Sequence, residues 1–155
     1  MAKNIFFEAA VESTAGKLAV AQVTLNRVNS DKFPSTVCDV VYEGPHYTAR
    51  NGQQLPKRDR CQFSWYCDGK SDDPRKAKSW SKSQSVAQWF YDHQDRLMDI
   101  TDGATHYHAD WMEKYPHWAT KYLKVVSIDD HIFYQNVRSK NIKIMKTSEL
   151  TLARL

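Results

Sequence analysis

With 155 residues, the chain is long enough to bury a real hydrophobic core as one domain. Apolar residues make up 41% and charged residues 26%, which is ordinary for a globular protein and excludes a disordered or fibrous class. The net charge of +4 is confined to the C-terminal end: Arg138, Lys140, Lys143, Lys146 and Arg154 face the single acid Glu149, and residues 1–137 are balanced. That excess is too small and too local for a nucleic-acid binder, but it suits contact with an anionic envelope.

Residues 3–12 predict a first helix, with Ile5, Phe6, Ala9 and Ala10 on one side and Glu8 and Glu12 one turn apart. No export signal precedes it, so synthesis in a cytoplasm is expected. No stretch has the apolar length of a membrane span. Ser13-Thr14-Ala15-Gly16 breaks the pattern, and Ser13 or Thr14 can cap a second helix over Lys17–Val28, with Leu18, Ala21, Leu25 and Val28 at helical spacing. Phe33-Pro34-Ser35-Thr36 opens a short third helix carrying Val37, Val40 and Val41.

Residues 43–76 are dense in turn signals, including Gly44-Pro45, Asn51-Gly52 and Asp68-Gly69, and read as a long irregular stretch of functional kind. Ser79–Met98 predicts a fourth helix with Val86, Trp89, Phe90, His93 and Leu97 on its apolar side. Asp102–Pro116 reads as a second loop-rich region. Tyr122–Ile128 and His131–Val137 alternate around Asp129-Asp130, a β-hairpin signal, and Ile142–Met145 could add a strand. The fold class is therefore α+β, mostly helical with one small antiparallel sheet. Residues 1–137 form the catalytic domain and 138–155 a basic tail packed on it. A monomer is expected. Cys38, Cys61 and Cys67 are an odd set with no CxxC pair, so free thiols are expected, with a Cys61–Cys67 bridge as the alternative.

Three clusters carry the chemistry. Glu8 follows Ile5-Phe6-Phe7; apolar surroundings disfavour a charged carboxylate and so suit a general acid, as glycosidic cleavage requires. Glu12 is too close to it to straddle a sugar and reads as structural or as raising the Glu8 pKa through its charge. The alternative for Glu8 is a partly buried acid satisfied locally. In the second cluster, Gln62 and Ser64 offer hydrogen bonds, and Phe63 and Trp65 offer flat faces to a sugar ring; the competing reading puts both aromatics in the core. The third, Gly103 to Ala109, presents Thr105, His106 and Tyr107 to a polar substrate. His106-x-His108, with His131 downstream, invites a metal. Without an HExxH helix or an acidic or cysteine third ligand, neither metal nor cofactor is expected.

The order of these features resembles the SleB-type cell wall hydrolases, the family of spore-cortex-lytic enzymes. The resemblance lies in Glu8-Ala9 with Glu12, in Gly16 and Ala19 to Val28, in Phe33 to Tyr42, in Gln62-Phe63-Ser64-Trp65, in Gly103 to Ala109, and in His131-Ile132-Phe133-Tyr134. It implies a lysozyme-like transglycosylase fold acting on peptidoglycan glycan strands, with Glu8 as the sole catalytic acid/base. Gln62, Ser64, Thr105 and Tyr107 would line the cleft, and Asn26-Arg27 and Phe33-Pro34 would be architectural. The chain departs from the family at Ala10-Val11, where Arg-Gly is usual before the second Glu. The expected activity is a lytic transglycosylase cutting the MurNAc–GlcNAc bond, in the setting of a bacteriophage endolysin. A hydrolytic muramidase and a non-catalytic glycan-binding module are the alternatives.

Overall fold

The computed structural model describes residues 1–138; the expected strand at 142–145 and the basic residues after Arg138 lie outside them. The chain groups into two compact units, Met1–Ile100 and the residues from Thr101 onward, each described by itself.

In the first unit, α1 (Ala2–Ala9) buries Asn4, Ile5, Phe6 and Ala9, the spacing of one helical face. The helix stops short of the expected residue 12. Ser13 must take an extended conformation (φ −62°, ψ 176°) for its hydroxyl to accept the Gly16 N–H at 3.2 Å and cap α2 (Thr14–Val28). The chain therefore leaves the α-helix before Glu12, whose N–H bonds back to the Ala9 carbonyl at 3.2 Å.

Around α2 the buried positions run nearly the whole circumference: Gly16, Ala19, Val20, Ala21 and Val23, with Lys17, Gln22, Thr24 and Arg27 among them. Small residues on several faces let α1, α3 and α4 all pack against it. Of the expected apolar stripe, Ala21 is fully buried, while Leu18, Leu25 and Val28 are only half-buried. The buried polar groups on α2 hold neighbouring chain in place. Gln22 donates to the Met98 carbonyl (2.9 Å) and accepts from the Ile100 N–H (3.0 Å), and Asn26 donates to Asp99 (2.8 Å). The Arg27 guanidinium lies over Phe33 (5.3 Å) and Phe63 (4.7 Å).

Helix α3 (Val37–Val41) is capped by Thr36, which accepts the Asp39 N–H, and buries Val40 and Val41. The stretch expected to be irregular contains a hairpin, β1 (His46–Thr48) with β2 (Gln54–Pro56), turning through Asn51-Gly52. After it, a single 3-10 turn (Ser64–Cys67) carries Cys67 back to Cys61 and the two form a disulfide, overturning the expectation of free thiols there; Cys38 is free and exposed. The loop is closely packed, since a Cβ on Gly44 would lie 3.0 Å from the Cys61 sulfur and 3.1 Å from its Cα. Closing so short a loop stabilises by about 2 kcal/mol in the chain-entropy account. Reduction with dithiothreitol is expected to lower Tm by several degrees in wild type and not at all in Cys61→Ser/Cys67→Ser.

Helix α4 (Ala77–His93) starts and ends earlier than expected and is followed by a short 3-10 turn, Gln94–Arg96. Its buried stripe is Ser83, Val86, Ala87 and Phe90; Trp89 and His93, expected on that side, are exposed and stack on each other at 4.6 Å.

The second unit is a three-stranded antiparallel sheet in the order β3–β5–β4. β4 (Tyr122–Ile128) and β5 (His131–Arg138) form the expected hairpin, with Asp129 at φ 47° in its turn. β3 (His106–Ala109) falls in the region expected to be loop and pairs with β5, His106 opposite Tyr134 and His108 opposite Ile132. Among the described residues, no helix is long and apolar enough to cross a membrane.

Candidate active site

In the first unit the site is built around a buried hydrogen-bond chain. Asn4, fully buried, donates to the Thr24 hydroxyl (3.2 Å) and accepts from the Trp65 indole N–H (3.0 Å); Thr24 in turn donates to the Val20 carbonyl (2.9 Å). Every member is satisfied, so the chain fixes α1, α2 and the 3-10 turn in one arrangement. Glu8 lies one turn after Asn4 on the same face of α1 and is half-buried.

Of the second cluster, Gln62 and Ser64 are exposed while Phe63 (2% exposed) and Trp65 (7%) are buried. The two aromatics therefore do not offer open faces to a sugar, which corrects that part of the expectation. Phe63 lies under the Arg27 guanidinium, and Trp65 is stacked on Phe7 at 4.7 Å. Their burial holds the backbone from which Gln62 and Ser64 project.

One residue was not picked out in the sequence. Glu43 is half-buried two residues after the buried pair Val40-Val41, and its backbone carbonyl accepts the Gln62 N–H at 3.0 Å. Its Oε2 is buried with no hydrogen-bond partner among the described residues. Burial pushes its carboxyl above the usual range, and the Arg27 guanidinium pulls the other way without cancelling it. The signal was present: an acid flanked by Val40-Val41-Tyr42, the same pattern that singled out Glu8. Because the folded state favours the protonated form, Glu43's contribution to stability is present at acid pH and lost as pH rises through its raised pKa. Glu43→Gln, neutral throughout, is therefore expected to raise Tm relative to wild type at pH 7 and to lose that advantage near pH 4. A Tm difference that does not vary with pH contradicts this.

In the second unit, strand alternation divides the third cluster. His106 shares a face with His108, Ile132 and Tyr134, and its ring lies near Trp118 (5.1 Å) and Tyr122 (4.8 Å). Tyr107 is on the opposite face with Phe133 (5.4 Å) and His131 (5.1 Å). Thr105 is buried just before the strand, with its hydroxyl 3.0 Å from His106 Nδ1. The three candidates thus do not present one common surface. His108 is buried, with Nδ1 2.9 Å from the Ala109 carbonyl and Nε2 3.1 Å from the Tyr134 hydroxyl. With both ring nitrogens engaged, its role is to brace the sheet. Burial raises the Tyr134 hydroxyl, and nearby Tyr115 adds to this. No group of three or more potential metal ligands occurs among the described residues.

Comparison with known proteins places this arrangement. The solved catalytic domain of the Bacillus cereus SleB protein superposes with a TM-score of 0.58, at 24% identity, covering 87% of this chain and 86% of that one. The catalytic domain of the germination-specific lytic transglycosylase SleB from Bacillus anthracis gives the same TM-score and identity, over 90% of its length. The fold is thus the lysozyme-like α+β fold of those domains. In sequence, the spore cortex-lytic enzyme of Oceanobacillus iheyensis is 47% identical over 49 residues, and that of Halalkalibacterium halodurans is 45% identical over 49 residues. These segments are 32% of this chain but only 18% and 15% of those enzymes, so the chain matches less than a fifth of either. The profile of the family described as Cell Wall Hydrolase matches residues 11–134, beginning just after Glu8 and taking in the Gln62–Trp65 and Gly103–Ala109 clusters. The chain belongs to the Cell Wall Hydrolase family.

Proposed function

We propose that this protein is a lytic transglycosylase that cuts peptidoglycan strands between N-acetylmuramic acid and N-acetylglucosamine, with Glu8 as its one acid/base. The observation that supports this most is the position of Glu8. It is half-buried on the α1 face that Asn4 locks to Trp65, and Trp65 lies in the 3-10 turn that begins at exposed Ser64, two residues after exposed Gln62.

In this reading, the protonated Glu8 gives its proton to the glycosidic oxygen as the C1–O bond breaks. The resulting carboxylate takes the proton from the muramic C6 hydroxyl, whose oxygen bonds to C1 and closes a 1,6-anhydro ring. Proton and electrons balance without a second carboxylate or a water. Gln62 and Ser64 supply neutral hydrogen bonds to sugar hydroxyl and acetamido groups. In the second unit, either His106 or Tyr107, which lie on opposite faces of β3, is proposed to meet the glycan, and buried Thr105 to orient the His106 ring. The setting proposed is lysis of a bacterial envelope, where the net positive charge favours an anionic surface.

The test is turbidity of purified sacculi. Wild-type protein is expected to clear them with release of soluble muropeptides. Co-sedimentation with sacculi and no clearing would instead establish a glycan-binding module, and neither binding nor clearing would sink the substrate assignment.

A further inference from the structure

Against the flank of α1 that carries Phe6, Phe7 and Ala10 is a hollow of about 460 Å³. Phe6, Phe7 and Ala10 form one wall. Those rings are held rigidly: Phe7 stacks on Trp65 at 4.7 Å, and Phe6 meets Phe7 and Trp80 edge-on at 5.0 and 6.0 Å. The opposite wall is charged, with Lys70, Arg75 and Lys76 against one acid, Asp73. Lys70 already pairs with Asp68 at 3.7 Å, whereas Arg75 and Lys76 are exposed and carry no ion pair among the described residues. Lys76 also precedes the first turn of α4, which contains no acid to offset the positive end of the helix. Asp68 and Asp72 lie nearby, Asp72 within the field of Lys3, so these acids have cations of their own.

We propose that this hollow takes the peptide stem carried by the muramic sugar, and that the protein recognises stem-bearing strands over bare glycan. The proposal rests on the glycosidase reading for the position of the sugar at Glu8. A glycan strand stripped of its stems brings only the one lactyl carboxylate of each muramic sugar, held at the ring. A stem brings several carboxylates and, where its third residue is a diamino acid, one ammonium, matching a wall of three cations and one anion. Reach is adequate as well. A helix is about 10–12 Å across, and a stem of four residues extends to roughly 13 Å. A sugar at Glu8 therefore places its stem within range of the far flank of α1. The apolar wall of Phe6, Phe7 and Ala10 would cover the methyl and methylene groups of the stem, as mixed ligand sites do.

The probe is the free tetrapeptide L-alanyl-γ-D-glutamyl-meso-diaminopimelyl-D-alanine, titrated into wild type and into Arg75→Gln/Lys76→Gln of matching Tm. Wild type is expected to bind, with the double variant weaker by about tenfold. On intact sacculi the double variant should release muropeptides about tenfold more slowly, yet match wild type on strands stripped of stems by an amidase. Absence of tetrapeptide binding, equal binding by both proteins, or an equal loss on stripped and intact strands overturns the proposal. Cleavage without stem discrimination leaves the glycosidase reading standing and removes this one. Tetrapeptide binding by a wild type that cleaves nothing does the reverse.

Discussion

Glu8→Gln is expected to lower muropeptide release by about a thousandfold while leaving Tm unchanged or higher. Positioned acid–base catalysis contributes about 10²–10⁴-fold, and here one carboxylate both donates and recovers the proton, so its amide can do neither. A half-buried carboxylate replaced by a neutral group of the same shape has no packing to lose, which separates a chemical loss from a folding loss. Glu12→Gln is the matched control. Because α1 ends at Ala9, Glu12 sits past the helix in the linker before the Ser13 cap, where its backbone carbonyl accepts from Lys17 Nζ. Its removal is expected to change the rate by less than about twofold. Equal losses in both variants would reassign the acid.

Trp65→Ala is expected to cost about 3–5 kcal/mol, a large part of the 5–15 kcal/mol typical of a domain. That corresponds to a fall in Tm on the order of 10 °C. The indole is 7% exposed, stacks on Phe7 and donates to Asn4, so the change opens a cavity and leaves the Asn4 Oδ1 without its donor. Trp65→Phe keeps most of the packing and isolates the second effect, at about 1–3 kcal/mol. A sugar-stacking platform would behave otherwise, with KM rising and Tm unmoved. Thermal melts of both variants beside wild type distinguish the two roles.

Trp65 shows where local sequence signals stop. Local signals were reliable: Ser13 caps α2, Thr36 caps α3, and alternation on both sides of Asp129-Asp130 makes the hairpin. Features that depend on distant partners carry no such signal. Phe63 and Trp65 read equally well as ligand faces or core, and what decides is Arg27 for one and Asn4, 61 residues away, for the other. β3 is four residues rich in histidine, with no strand pattern of its own; β5 makes it a strand by pairing with it. The Cys61–Cys67 bridge follows from a 3-10 turn that the spacing did not announce. On α4, Trp89 and Phe90 are adjacent aromatics, and only packing against α1 and α2 shows that Phe90 faces in and Trp89 out. Glu43 carried the same local signal as Glu8 and was passed over because no motif pointed to it.

If one carboxylate cuts the strand without water, digestion of purified sacculi in ¹⁸O-water followed by mass analysis of the muropeptides shows it. Transglycosylation predicts 1,6-anhydro ends, each one water lighter than a reducing end and free of ¹⁸O. Reducing ends that carry ¹⁸O would contradict it and make the protein a hydrolase, with water in place of the C6 hydroxyl.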